Sequence, residues 1–247
     1  MFDEVCIPKK ITPSPIAEAI FEIRFSSEIP GAAYCGLLLP LLNTTFPSSI
    51  IEEFPILQLP LIVRESDPHL KFQPHYRVTK DNFSFAFGPN SFVFQCSSPY
   101  CGWKEWSGYF CAIIKDLRNV SMLKKATIQR LGLRYIDHIH ENIWVNSDVS
   151  VQVDGKSVSQ CNTQLRTELQ EEDVTVVLNI ATGGPSSSQQ DISIIDIDCM
   201  QEYNELFDTF AKNVEENTII EKLHLTNKKF FFGIMHKQYI DTLNPVY

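Results

Sequence analysis

The chain has 247 residues, 44% hydrophobic and 21% charged, enough apolar material for one large domain or two small ones. A formal charge of -9 with no compensating basic patch excludes a duplex-binding surface, which rests on clustered Lys and Arg. No apolar run approaches the ~20 residues a membrane span requires, and MFDEVCIPKK carries acid where an export signal needs positive charge, so a cytoplasmic location without membrane contact is expected.

Taken in order, Pro8, Pro13 and Pro15 make the first segment an extended arm. In IAEAIFEIRF (16–25), Ala17, Ala19, Phe21, Ile23 and Phe25 share one face, and Glu18, Ile20, Glu22 and Arg24 the other, which predicts a strand. The run 32–42 is apolar at helical spacing and predicts a buried helix that Pro40 kinks or shortens. Residues 46–63 read as an irregular connection with a brief strand. Segments 70–79, 82–87 and 91–95 then predict an antiparallel meander, the last two joined through Gly88-Pro89-Asn90. An amphipathic helix follows over 103–117, with Trp106, Phe110, Ile113, Ile114 and Leu117 on one side.

The second half repeats this order loosely. KATIQRLGLRYIDHIH (125–140) is the longest strand candidate: Leu131, Leu133 and Tyr135 alternate with Arg130, Gly132 and Arg134, so two guanidinium groups share a face with a glycine between them. A polar stretch over 145–159 leads to a second meander, 163–169, 174–181 and 191–199, interrupted by the GGPSSSQQ loop, and the chain closes with helices predicted at 203–214 and 219–232. The expected class is α+β, antiparallel sheets covered by helices, in two loosely similar halves (1–120 and 121–247) of one continuous body. No residue-level repeat accompanies that similarity of order.

The opening P-x-x-E-A-I-F-E-I-R-F (Pro15 to Phe25), the Trp106 helix, R-L-G-L-R-Y-I-D (Arg130 to Asp137), I-I-D-I-D (Ile194 to Asp198) and the late Leu223-His224 with Phe231 together resemble a sporadically distributed prokaryotic family of uncharacterised proteins. The resemblance covers nearly the whole chain and is most specific at R-L-G-L-R-Y. It carries no reaction with it. Patchy distribution of that kind implies a defence or toxin–antitoxin setting.

Chemistry is expected where strands force charge onto one face. Glu18, Glu22 and Arg24 share a face, as do Arg130 and Arg134, and as do Asp196 and Asp198. Pairing of the three strands would build a cross-strand ladder, either a salt-bridged sheet face or a site where one arginine clamps a carboxylate or phosphate. Asp196 and Asp198 also suit Mg²⁺ by ligand type, but the adjacent arginines satisfy them without metal and no phosphate-binding loop accompanies them. His138 and His140 point the same way along their strand, yet a third zinc ligand is absent at any diagnostic spacing, and the run D-H-I-H-E (Asp137 to Glu141) reads as the solvated end of the strand. His224 falls on an apolar helix face and reads as a satisfied, partly buried histidine. The seven cysteines are scattered without a C-x-x-C pair and read as reduced thiols. Among them Cys96 and Cys101 flank a turn before the Trp103 helix without a paired histidine.

In KKFFFGI (228–234), Phe230, Phe231 and Phe232 cannot all lie on one helical stripe, so core packing from several sides competes with contact to another protein or a second copy. The composite expectation is a non-catalytic binding or protein-interaction component, with no metal or cofactor. The alternative is an enzyme acting on a phosphorylated or carboxylated small molecule at the charged face.

Overall fold

Alternation of apolar and polar residues decides the architecture. The computed structural model describes residues 5–30, 33–47, 49–158, 161–183 and 192–247. Along the chain these form β1 (Ile16–Ser26), α1 (Tyr34–Thr45), β2 (Ile51–Glu53), α2 (Leu61–Ser66), β3 (Tyr76–Lys80), β4 (Phe83–Phe87), β5 (Ser91–Ser97), α3 (Trp103–Leu117), β6 (Thr127–Ile139), α4 (Ile143–Asn146), β7 (Gln152–Val153), β8 (Lys156–Ser157), β9 (Thr163–Glu171), β10 (Val174–Thr182), β11 (Ser193–Leu206), α5 (Phe207–Lys212), α6 (Thr218–Ile234) and α7 (Lys237–Thr242). One sheet orders nine strands as β2-β3-β4-β5-β1-β6-β11-β10-β9, while β7 and β8 pair separately. The class is α+β with a large antiparallel sheet.

Two compact units divide the chain, and neither is contiguous. The first takes the segment up to Ala19, Leu133–Met200 and Glu221–Tyr247; the second takes Ile20–Gly132 and Gln201–Ile220. Long β1, β6 and β11 therefore each give one stretch to either unit.

In the second unit the even positions of β1 stay half-exposed while Phe21, Ile23 and Phe25 are fully buried, as the period-2 pattern requires. Phe21 stacks on Phe110 of α3 at 4.6 Å between ring centroids, and Phe85 stacks on Phe94 at 5.0 Å. Each such ring stabilises the fold by roughly 1.5–3 kcal/mol through burial, which makes this aromatic layer the main reason α3 lies on the strands. Gly88, after β4, is a position where side chains do not fit: a Cβ there would stand 2.9 Å from the Gln73 carbonyl oxygen.

In the first unit α6 is tied to strand backbone. Buried Asn227 donates from Nδ2 to the Ile197 carbonyl at 2.7 Å and the Leu133 carbonyl at 3.4 Å. β9 and β10 form a hairpin in register Val174↔Glu171 through Thr182↔Thr163, turning at Glu172, whose φ is 55°.

Two boundaries depart furthest from the sequence reading. The strand expected over 70–79 begins only at Tyr76, because residues 67–73 curl into turns in which Leu70 and Lys71 donate to the Asp67 carbonyl and Gln73 to that of Leu70. The helix expected over 203–214 is a strand as far as Leu206; half-buried and exposed residues keep alternating from Gln201 to Leu206, and α5 starts where the Phe207 N–H docks on the Ala126 carbonyl at 2.8 Å. Residues 184–190 of the GGPSSSQQ loop lie outside the described residues.

Candidate functional site

The ladder residues form two clusters, one in each unit. In the second unit, Glu22 Oε2 accepts from Arg24 Nε at 2.8 Å and from Arg130 Nη2 at 2.8 Å. One carboxylate thus serves two guanidinium groups, and all three side chains are mostly shielded, 19–30% exposed. Arg24 also lies over the Phe72 ring, 4.9 Å from its centroid, brought there by the turns of 67–73. Arg130 Nε is buried with no hydrogen-bond acceptor among the described residues.

In the first unit Arg134 grips Asp196 with both prongs, Nε to Oδ1 at 2.6 Å and Nη2 to Oδ2 at 2.7 Å. Asn179, directly across the β10–β11 pair, adds its Nδ2 to Asp196 Oδ2 at 3.1 Å. The hydrogen bond to Asp196 raises the Arg134 pKa above its already high value, and the fields of Asp198 and Glu18 push it the same way. Glu18, Arg134, Asp196 and Asp198 consequently act as one electrostatic group, with Asp196 the acid that arginine engages directly. An Mg²⁺ site on Asp196 and Asp198 would have to displace the guanidinium and the Asn179 amide. Among the described residues no group of three or more His, Cys, Asp or Glu is placed to hold a metal ion.

The histidines and thiols are quiet. His138, His140 and Glu141 are exposed at the end of β6. His224 is buried and receives or donates one hydrogen bond with the Tyr135 hydroxyl, Nδ1 to Oη 2.9 Å; burial, helped by the Lys228 charge, pushes its pKa down to about 3, so it is neutral. Cys96 and Cys101 lie with sulfurs 3.8 Å apart, and burial raises both thiols, Cys101 to about 12. Neither is an activated nucleophile, because the thiolate is the reactive form.

One functional-type residue escaped the sequence reading. Asp137, taken with its neighbours as part of a solvated strand end, is 3% exposed. It shares the β6 face of Leu133, Tyr135 and Ile139, and burial, reinforced by Asp196, raises its pKa to about 8. The signal was present: extending the alternation two positions beyond Tyr135 puts Asp137 on the covered face.

Phe230 and Phe231 are buried within the chain and Phe232 is half-buried, with Phe231 and Phe232 edge to face at 5.2 Å. What the phenylalanine run offers to another molecule therefore reduces to Phe232. Exposed apolar side chains gather elsewhere, at Ile50, Leu59, Leu61, Ile62 and Val63 around α2.

The fold and the ladder define an α+β protein whose sheet carries paired charge. No helix among the described residues is long and apolar enough to cross a membrane. Compared with models of known protein families and with curated proteins, the chain matches none.

Proposed function

We propose that this chain is a non-catalytic component that works by binding another protein. The supporting observation is that the charges best placed for chemistry are spent on one another: Arg134 on Asp196 through two hydrogen bonds, and Arg24 and Arg130 on Glu22. A sheet face held together in this way serves as a rigid support, since a catalytic clamp needs at least one charge held ready for substrate. The resemblance to a sporadically distributed prokaryotic family puts this reading in a defence or toxin–antitoxin setting, in the cytoplasm.

The test is the Arg134→Met variant together with inorganic phosphate and acetate titrations, all read as thermal unfolding. A structural ladder gives a marked drop in Tm for the variant and no stabilisation of the wild-type protein by either anion. A variant as stable as wild type would overturn the reading.

A second reading, an enzyme acting on a phosphorylated or carboxylated small molecule, draws on the second unit. There two guanidinium groups face a single acid, and Arg130 Nε has no acceptor among the described residues. That reading requires millimolar phosphate or acetate to raise Tm, and the Glu22→Gln variant, which removes the competing carboxylate, to raise it further.

A further inference from the structure

β9 is a margin of the nine-stranded sheet, and it is a long one. Its nine residues contain no proline or lysine, two of the usual devices that keep an edge from pairing, and its exposed charges Arg166 and Glu168 are of opposite sign. The opposite margin, β2, has only three residues. Among the described residues the backbone–backbone hydrogen bonds of β9 run to β10 alone. Gln164, Arg166, Glu168 and Gln170 are exposed on one face, while Leu165, Thr167, Leu169 and Glu171 are half-buried on the other.

The order of these residues is self-complementary about Thr167. Laid antiparallel against a copy of itself with Thr167 opposite Thr167, β9 sets Arg166 against Glu168, Leu165 against Leu169, Gln164 against Gln170 and Thr163 against Glu171, and each pair recurs by symmetry. Directly opposite residues of an antiparallel pair share a face with Cβ atoms about 5 Å apart, so each match is a contact. Arg166 and Glu168 already lie on one face of the strand, 3.7 Å apart and about 60% exposed, so the pairing joins four charges of alternating sign. A one-residue slip would set Leu against charge on both faces and destroy every match.

The flanking helix supports the same contact. Lys222 reaches Glu172 and Asp173 at the hairpin turn, and Lys229 reaches Glu171 at 2.7 Å. Leu225 and Phe232 fall on that same α6 face, at i+3 and i+10 from Lys222, and Leu225 is 53% exposed. Leu225 thus lies on the α6 face whose Lys222 and Lys229 reach the β9–β10 hairpin.

We propose that two copies of this chain associate through β9, antiparallel about a two-fold axis at Thr167, extending the sheet across both subunits. The proposal rests on the reading of the chain as an interaction component and names a second copy as one partner.

The experiment measures mass by light scattering after size exclusion, on the full chain at tens of micromolar. The wild-type protein should run at twice 28.3 kDa. R166E puts carboxylates at both positions of the charged match, and E168R puts guanidinium groups at both. Each variant alone should run as a monomer, and a 1:1 mixture should recover the doubled mass, because the two strands then carry opposite charges at both positions of the match, while in the wild-type protein only the antiparallel pairing avoids setting Arg166 against Arg166 and Glu168 against Glu168. Both positions are exposed, and circular dichroism checks that each variant is folded. A monomeric wild-type protein, dimers that survive in either variant alone, or a mixture that stays monomeric overturns the pairing. None of these outcomes touches the Tm and anion tests of the proposed function, so the two fail separately.

Discussion

Arg134 and Asp196 meet in a two-pronged ion pair in which the acid is 12% exposed and the base 40% exposed. The asymmetry sets the cost of breaking it. Removing the arginine leaves a shielded carboxylate with only the Asn179 amide, whereas removing the acid leaves a guanidinium that turns to water.

Arg134→Met should therefore destabilise the protein by about 2 kcal/mol, below the 3–5 typical of fully buried pairs because Arg134 is partly solvated. Asp196→Asn should cost less, about 1 kcal/mol, since Asn keeps a carbonyl oxygen for the guanidinium. Urea unfolding of both variants checks the order, and equal losses would contradict it.

The buried Asp137 carboxyl gives a pH signature. Its folded pKa of about 8 lies above the ordinary carboxyl value of 3.8, so the folded state holds a proton that the unfolded state releases. Its contribution to stability is greatest below pH 3.8 and is lost as pH rises toward 8. His224 and His75 act in the opposite sense: burial pushes them down to about 3 and about 4, so they favour the folded state above pH 6.5 and cease to as pH falls. The opposing slopes overlap below pH 6.5. Between pH 7 and 8 both histidines are neutral in the folded state and mostly neutral in the unfolded one, and Asp137 is left exposed to view. Stability should fall across that window in the wild-type protein and stay flat in Asp137→Asn, read as urea midpoints at half-unit pH steps.

Thiol exposure divides the cysteines. Cys6 and Cys161 are exposed, while Cys96, Cys111 and Cys199 are buried, with burial raising the Cys96 and Cys199 thiols. Iodoacetamide on the native protein at pH 8 should modify Cys6 and Cys161 first, at least tenfold faster than the other three by peptide mass spectrometry. Rapid modification of Cys96 would contradict the packing role assigned to it.

Legibility in the sequence followed the strength of the local pattern. β1 and α3 were plain because each repeats one period for ten residues or more, and burial of Phe21, Phe25, Trp106 and Phe110 follows that period. β11 extends past the strand read from the sequence because Glu202, Glu205 and Leu206 have high helix propensity, while the strand they belong to is decided by the neighbours it pairs with. Charge pairing was legible only as shared faces. Which acid meets which base depends on register between strands distant in sequence, as with Arg134 and Asp196, 62 residues apart. Asp137 was misplaced for a simpler reason: polar neighbours at His138, His140 and Glu141 outweighed its parity with Tyr135.

The phenylalanine run separates packing from surface within three consecutive residues. A helix turns about 100° per residue, so Phe230, Phe231 and Phe232 span more than half its circumference. Phe230 at 1% and Phe231 at 5% exposure are held by the chain itself, and Phe232 lies on the face shared with Lys222, Leu225 and Lys229. Phe230→Ala should cost about 3–4 kcal/mol, the usual loss for a core aromatic, and Phe232→Ala about 1 kcal/mol. If β9 pairs as proposed, Phe232→Ala should weaken association more than its small effect on urea unfolding suggests, because it shares the α6 face of Lys229, which reaches Glu171 of β9. Phe230→Ala should do the reverse, lowering stability at a given dissociation constant. Measuring both quantities for both variants separates the residue that builds α6 into the fold from the one that α6 turns toward a second molecule.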